Sequence, residues 1–308
     1  MKRILVVAAV IRRDGKILIA QRPLDKHQGG LWEFPGGKVE EGEPAAAALV
    51  RELEEELGIT PRQYRPLIRL RHDYPDKAIC LDVWEVSAFT GAARGREGQP
   101  VRWVSTAALP RFEFPAANRA IVAALRLPSL YFITPEGLDA AGYMAWLEAR
   151  LQRQAGLVLL RAPRLPEPDY LALARDFLAH CHAAGAKLML HGDPARLQQV
   201  EADGVHMPAM LLDRFAARPC SPGCWLAASV HDLRELQRAE AIGVDFATLS
   251  PLRPTLSHPE AVALGWENFA ALVEHAPMPV YALGGVGAED LEQAWRAGAQ
   301  GVAGIRGL

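Results

Sequence analysis

The residues best placed to do chemistry lie in one short run, Arg51-Glu52-Leu53-Glu54-Glu55-Glu56. On a helix Glu52, Glu55 and Glu56 stand at i, i+3 and i+4, so their carboxylates share a face. Like charges at that spacing destabilise a helix by about 0.2–0.5 kcal/mol per pair. In the last turns the backbone dipole disfavours each anion by roughly 0.3–1 kcal/mol more. Arg51 offsets part of this, and bound cations would offset the rest. Hard divalent ions take oxygen ligands and keep some waters, so Mg²⁺ suits the cluster, with Mn²⁺ as a substitute. Taken alone, the run also reads as a solvated acidic helix face.

This face must be positioned by its neighbours. Helical periodicity runs over Pro44–Leu57, with Pro in the first turn and Gly58 as a stop, and again from Ala116 to Leu125 after Pro115. Apolar stretches at Val6–Ile11, Ile17–Ala20, Leu67–Leu70, Ile79–Val86 and Val101–Val104 read as strands. Strands and helices do not alternate one for one, which predicts a mixed sheet between helices, an α/β/α sandwich. After Arg126-Leu127-Pro128-Ser129 the rhythm changes. Short apolar runs begin at Tyr131, Leu157, Lys187, Gly204, Leu226, Phe246, Val280 and Val302, with helical stretches between them. That alternation predicts a (β/α)₈ barrel whose last helix is not apparent. The expected domains are 1–127 and 130–308.

A chain of 308 residues fits two domains. A net charge of −2 argues against a stable nucleic-acid footprint, which needs clustered Lys and Arg. The apolar start leads into Arg12-Arg13-Asp14-Gly15, which is turn chemistry, and a first strand is expected there rather than a signal peptide. No apolar run is long enough to span a bilayer. Cys80, Cys181, Cys220 and Cys224 lack the spacing of a zinc set, and a cytoplasmic location is expected.

The stretch from Gly37 to Ile59 fits G-x₅-E-x₇-R-E-U-x-E-E-x-G-U through Gly37, Glu43, Arg51, Glu52, Leu53, Glu55, Glu56, Gly58 and Ile59. On this box, residues 3–127 resemble the Nudix hydrolases. Segments outside the box are similar to the MutT-type 8-oxo-dGTP diphosphatases: Gln21-Arg22-Pro23, Trp32-Glu33-Phe34-Pro35-Gly36-Gly37-Lys38, Tyr74-Pro75-Asp76, Gly95–Pro100 and Phe114–Asn118. The resemblance implies that the Gly36 carbonyl, Glu52, Glu55, Glu56 and Glu97 hold the metal. It also implies that Glu52 or Glu97 takes the proton from the attacking water, and that Arg22 and Lys38 meet the phosphates. Glu52, Glu55, Glu97 and Lys38 are therefore the expected catalytic set. Asn118 is similar to the residue that reads the base in that group; by position alone it also reads as a helix cap. Phe34 and Tyr74 would flank the base or simply pack the core, and Arg22 and Lys38 also read as surface charges.

Residues 130–308 resemble the thiamine phosphate synthases and their thiazole tautomerase branch. The resemblance is carried by Tyr131–Pro135, Ala202–His206, Ala228–His231, Ser250–Thr255 and Ala282–Val286 in order. Much of the synthase's working set is absent. Its Gln-x-Arg-x-Lys strand keeps only Arg161, its Asn-Asp pair is His191-Gly192, its later acid is Leu211, and its lysine-rich loop reads Leu256-Ser257-His258. By the resemblance, Gly284, Gly285 and Gly304 offer N–H groups to a phosphate, and His231 moves protons. A retired enzyme kept as a ligand-binding or structural module is the other reading.

The expected activity is pyrophosphohydrolysis of a nucleoside triphosphate, chiefly 8-oxo-dGTP to the monophosphate and pyrophosphate, with a phosphorylated ligand in the barrel. The alternative is cleavage of thiamine-pathway pyrophosphates, with the barrel as tautomerase or sensor.

Overall fold

The computed structural model describes residues 4–24, 28–74, 78–254 and 262–308; Pro75, Asp76 and Leu256-Ser257-His258 lie outside the described residues. Two compact units divide the chain, Met1–Arg126 and Leu127–Leu308.

The first unit comprises β1 (Ile4–Arg13), β2 (Lys16–Gln21), β3 (Trp32–Glu33), α1 (Ala45–Leu57), β4 (Thr60–Asp73), β5 (Ala78–Thr90), β6 (Val101–Ser105) and α2 (Ala116–Ala124). Its sheet runs β3-β2-β1-β5-β4, with β6 also on β2. β1 and β5 are parallel and the other ladders antiparallel, so the sheet is mixed, as the element order required. Alternation along β1 divides the core. Val7, Ala9 and Ile11 pack with Ala48, Leu49, Leu53 and Leu57 of α1, while Ala8 and Val10 pack with Ala117, Ile121 and Ala124 of α2. Each fully buried leucine contributes about 1.5–3 kcal/mol, so this seam fixes which way the opposite, acidic face of α1 points. β4 and β5 are longer than their apolar runs because their ladder continues through polar pairs out to Thr60↔Thr90 and Asp73↔Ala78.

The second unit is a closed eight-stranded parallel barrel, in the order β10-β11-β12-β13-β14-β7-β8-β9. Its strands are β7 (Leu130–Ile133), β8 (Leu157–Leu160), β9 (Lys187–His191), β10 (Gly204–Met207), β11 (Trp225–Val230), β12 (Phe246–Leu249), β13 (Val280–Leu283) and β14 (Gly301–Gly304). The helices are α3 (Ala140–Leu151), α4 (Glu167–Ala183), α5 (Leu233–Ala241), α6 (Gly265–Val273) and α7 (Leu291–Arg296). Two expected crossover helices are instead short 3₁₀ turns, Pro194–Gln198 and Ala209–Arg214. Pro194, Pro208, Pro219 and Pro222 lie in those connections, where each removes a backbone donor and restricts the residue before it. No helix follows β14 among the described residues.

Residues paired across a ladder share one side of a sheet. The pairings Tyr131↔Ala303, Ile133↔Leu159, Leu159↔Met189, His206↔Ala227, Ala227↔Phe246 and Thr248↔Tyr281 therefore trace the inner wall. Tyr131 touches the rings of Phe246 and Tyr281 at centroid distances of 5.7 and 5.6 Å. Its hydroxyl lies 3.1 Å from His206 Nδ1, and His206 Nε2 lies 3.0 Å from Ser229 Oγ.

Burial, then the neighbouring His191, pushes the His206 pKa down to about 3. Burial, then Arg161 and Arg196, pushes that of His191 down to about 4. Both rings are neutral in the fold, whereas an unfolded histidine takes up its proton near pH 6.5. Below that pH the unfolded chain binds more protons, so the stability present above it is lost as pH falls towards 4 and then 3. Acidification from pH 7 to 5 should cost the barrel on the order of 2 kcal/mol per histidine. Hydrogen exchange of β9 and β10 reads this, with His206→Asn flattening the slope; a flat profile in the parent would refute it.

Candidate functional site

α1 carries the acidic face. Its C-terminus closes on Gly58 in the left-handed region, whose N–H and that of Ile59 donate to Glu54 and Leu53. On the exposed side Arg51 gathers the acids. Its Nε and Nη2 donate to Glu43 at 3.0 and 2.9 Å, and Nη1 donates to Glu52 at 2.8 Å and Glu55 at 3.4 Å. Nη2 also donates to the Lys38 carbonyl at 3.0 Å, tying the helix to the preceding loop. The hydrogen bond from Arg51 holds the Glu43 carboxyl below its ordinary pKa. Glu43 and Glu52 in turn raise that of Arg51, so the guanidinium remains charged.

The loop before α1 is laid along β1 by Val7 N–H to Gly37 O, Ala9 N–H to Pro35 O and Val39 N–H to Leu5 O. The Pro35 and Gly37 carbonyls face β1, while the Gly36 N–H donates to Glu56 Oε2 at 3.1 Å. Gly36 has φ 144°, and a Cβ there would meet the Val7 carbonyl oxygen at 2.2 Å. A Cβ on Gly37 would meet the Glu52 carboxyl at 2.3 Å. The two glycines thus allow the loop backbone to close over the carboxylates.

A second loop caps the other end of α1. Arg94 and Arg96 N–H donate to Leu57 and Glu56 carbonyls at 3.1 and 2.9 Å, and Gln99 Nε2 donates to Glu56 O at 3.1 Å. Gln99 Oε1 accepts from Glu97 N–H at 2.8 Å, which brings Glu97 to the acidic face. Burial, then the negative charges of Glu33, Glu52 and Glu97, pushes the Glu56 carboxyl up to about 8, against the Gly36 N–H. Glu33 is raised chiefly by burial, and it ion-pairs with Arg22.

The expected residues therefore fall into groups. Glu52, Glu56 and Glu97 are electrostatic neighbours, with the Gly36 backbone beside them. Glu55, with 60% of its side chain exposed, pairs with Arg51. Among the described residues no three metal-competent side chains close on one point, so the expected ligands are not gathered into a cage. Glu52 and Glu55 instead accept from Arg51, and Glu56 accepts from the Gly36 N–H. The donor set is nevertheless all oxygen and holds more negative charge than Arg51 balances, which suits a hard divalent cation. Lys38 is exposed beside it. Arg22 is paired with Glu33 rather than standing open. Glu33 had no expected role; its signal was position, in β3 at the end of the sheet, three residues before Gly36.

Asn118 is not a cap: Pro115 is the N-cap of α2, and Asn118 Oδ1 accepts from Phe34 N–H at 3.2 Å. That bond orients the amide and leaves Nδ2 as a donor. Phe34 is 3% exposed and stacks on Phe114 at 5.4 Å, so its ring belongs to the core and does not flank a ligand. Tyr74 is half-buried, edge-on to His72 at 4.5 Å. A cavity of about 840 Å³ lies along α1, bounded by Glu43, Arg51, Glu55, Tyr64 and Arg96.

In the barrel, His231 Nδ1 and backbone N–H both lie 2.8 Å from Glu235 Oε2. That contact leaves Nε2 as the outward nitrogen of a half-exposed ring. Gly284 and Gly285 follow β13 directly, and their carbonyls accept from Arg253 at 3.0 Å each, backbone and Nη1 respectively. Gly304 is the last residue of β14, in register with Phe132, and Leu308 Cγ would stand 3.1 Å from a Cβ there.

Residues 6–124 match the family described as the NUDIX domain, and residues 130–308 match the thiamine monophosphate synthase family. The 8-oxo-dGTP diphosphatase of Escherichia coli K12 is 40% identical over 127 residues, 41% of this chain and 98% of the relative. The CTP pyrophosphohydrolase of the same organism is 49% identical over 105 residues, 34% of this chain and 78% of the relative. A putative thiamine-phosphate synthase 2 of Aquifex aeolicus is 34% identical over 181 residues, 59% of this chain and 97% of the relative. The chain thus belongs to the Nudix hydrolases by its first unit and to the thiamine monophosphate synthase family by its second.

Proposed function

We propose that the first unit, taken as residues 1–127, hydrolyses a nucleoside triphosphate to the monophosphate and pyrophosphate, with 8-oxo-dGTP as the favoured substrate. Glu52, Glu56, Glu97 and the Gly36 carbonyl would hold Mg²⁺, or Mn²⁺ in its place, with Glu55 joining from its exposed position. The ion, when bound, neutralises phosphate oxygens and lowers the pKa of water. Glu52, steadied by Arg51 and abutting Gly37, accepts the proton of the attacking water. Arg22 exchanges Glu33 for a phosphate oxygen, and Lys38 adds charge from the exposed rim. A cytoplasmic location fits this role, and no helix among the described residues is long and apolar enough to cross a membrane.

The observation that carries the base preference is the Asn118 amide, fixed by Phe34 N–H with Nδ2 left to donate. Its oxygen keeps a second lone pair. Together they match O6 and the N7–H of 8-oxoguanine, whereas guanine presents only acceptors on that edge. In Asn118→Ala the ratio of kcat/KM for 8-oxo-dGTP over dGTP should fall about tenfold or more, as loss of one to two hydrogen bonds predicts. An unchanged ratio would remove Asn118 from base recognition.

Two other substrates have support. The 49% identity to a CTP pyrophosphohydrolase favours a pyrimidine nucleotide, and the joined barrel favours a thiamine-pathway pyrophosphate. For the second unit, taken as residues 130–308, we propose binding of a phosphorylated ligand at the Gly284 and Gly285 amides. His231 there serves as a proton-transfer group oriented by Glu235.

A further inference from the structure

The loop between β5 and β6 closes the C-terminal end of α1 more completely than a glycine stop requires. The last carbonyls of a helix have no donors within it, and distant residues supply them here. Leu57 O accepts from Arg94 N–H at 3.1 Å, and Glu54 O accepts from Arg96 Nη1 at 3.1 Å. Glu56 O accepts twice, from Arg96 N–H at 2.9 Å and from Gln99 Nε2 at 3.1 Å, which uses both of its lone pairs. Gly58 makes room for this closure, since a Cβ there would lie 2.5 Å from Arg96 Nε.

Within this closure Gln99 bridges two segments. Nε2 donates to Glu56 O, and Oε1 accepts from Glu97 N–H at 2.8 Å. One planar amide thus ties together the backbones of two residues whose carboxylates are electrostatic neighbours. The loop is folded tightly around it. A Cβ on Gly95 would lie 1.9 Å from Gln99 O and 2.8 Å from Gln99 Oε1, and Gly98 takes a φ of 79°, which favours glycine. Glu97 itself is exposed. Its backbone is therefore fixed while its carboxylate is left to swing, an arm with a set origin. The bridge needs a donor and an acceptor on one side chain. Glu at position 99 would keep the acceptor but turn an anion towards the Glu56 carbonyl, and Ala would keep neither group.

We propose that Gln99 is a positioning residue: it fixes the backbone of Glu97 against the end of α1, so that the Glu97 carboxylate reaches the cation held by Glu52 and Glu56. This rests on the reading that Glu97 is a metal ligand, and the two are separable by experiment.

Full-length protein without nucleotide is titrated with Mn²⁺, the free ion being read by its EPR signal. Gln99→Ala should weaken Mn²⁺ binding about tenfold, as loss of one to two hydrogen bonds predicts, and Glu97→Gln at least as much. In the double variant the loss should equal that of Glu97→Gln alone, because the arm that Gln99 holds no longer ligates. A purely structural role would instead add its loss in both backgrounds. In turnover, Gln99→Ala should raise the Mg²⁺ needed for half-maximal rate about tenfold, with KM for the nucleotide at saturating Mg²⁺ little changed. Hydrogen exchange of the Glu97 amide in the parent protein needs no variant: it should be slow for an exposed loop and slower still with Mg²⁺. Additive losses, a loss in Gln99→Ala below about twofold, or a Glu97 amide that exchanges like an unstructured one each overturn the positioning role. If Glu97→Gln still weakens Mn²⁺ binding, the ligand reading then stands; if Glu97→Gln binds Mn²⁺ as the parent does, both fall.

Discussion

Glu52→Gln is expected to lower kcat by about 10²–10⁴ while leaving the first unit folded, the range general-base catalysis supplies. Three features single out this residue among the acids of α1. Its carboxyl receives Arg51 Nη1 at 2.8 Å, so one oxygen is held. It lies against the loop backbone so closely that any side chain at Gly37 would collide with it. It is an electrostatic neighbour of Glu56, which places both carboxylates in one negatively charged cluster. Gln keeps the shape and the hydrogen bond from Arg51 but lacks the negative charge. KM should change far less than kcat, because in the proposed function the phosphates are assigned to Arg22 and Lys38 instead. Glu55→Gln, altering a side chain 60% exposed, should cost much less. If Glu52→Gln retains more than a tenth of parental kcat, proton acceptance belongs elsewhere, with Glu97 the next candidate.

Gly36→Ala should be among the most damaging small substitutions in the first unit. The new Cβ would lie 2.2 Å from the Val7 carbonyl oxygen and 3.0 Å from the Ala8 Cα, both backbone atoms of β1 that cannot swing away. The φ of 144° adds strain for any L side chain. Relief requires the loop to lift off β1, which breaks the Ala9–Pro35 and Val7–Gly37 bonds and withdraws the Gly36 N–H from Glu56. A loss of roughly 3 kcal/mol or more is expected, with activity falling in parallel. Urea unfolding of the full chain measures it. A loss below about 1 kcal/mol would mean the loop is not held as described.

How much of this could be read from the chain depends on the kind of signal. The acidic helix was legible because two periodicities agree: Ala48, Leu49, Leu53 and Leu57 bury one face, and the glutamates occupy the other. The barrel strands were legible because parallel strands buried on both sides are short continuous apolar runs. The crossovers after β9 and β10 were not, since proline-rich connections and short helices both interrupt apolar runs. The polar outer pairs of the β4–β5 ladder gave no apolar signal either. At the site, spacing alone could not tell that Arg22 pairs with Glu33, or that Asn118 reaches Phe34 across 84 positions. Those are contacts between distant segments, and no local pattern encodes them. Phe34 illustrates the converse: its place beside the loop suggested a ligand contact, yet the ring stacks on Phe114 and only its N–H faces the site.

In the proposed function a carboxylate-held divalent ion and the Asn118 amide together make the first unit a pyrophosphohydrolase selective for an oxidised purine. The most direct measurement is steady-state kcat/KM for 8-oxo-dGTP, dGTP, CTP and a pyrimidine pyrophosphate, in Mg²⁺ and again in EDTA. Pyrophosphate release that EDTA abolishes is expected, with 8-oxo-dGTP preferred over each of the others by at least about tenfold, the worth of one to two hydrogen bonds to the base. Turnover that survives EDTA, or a preference for CTP, dGTP or the pyrimidine pyrophosphate, would contradict it.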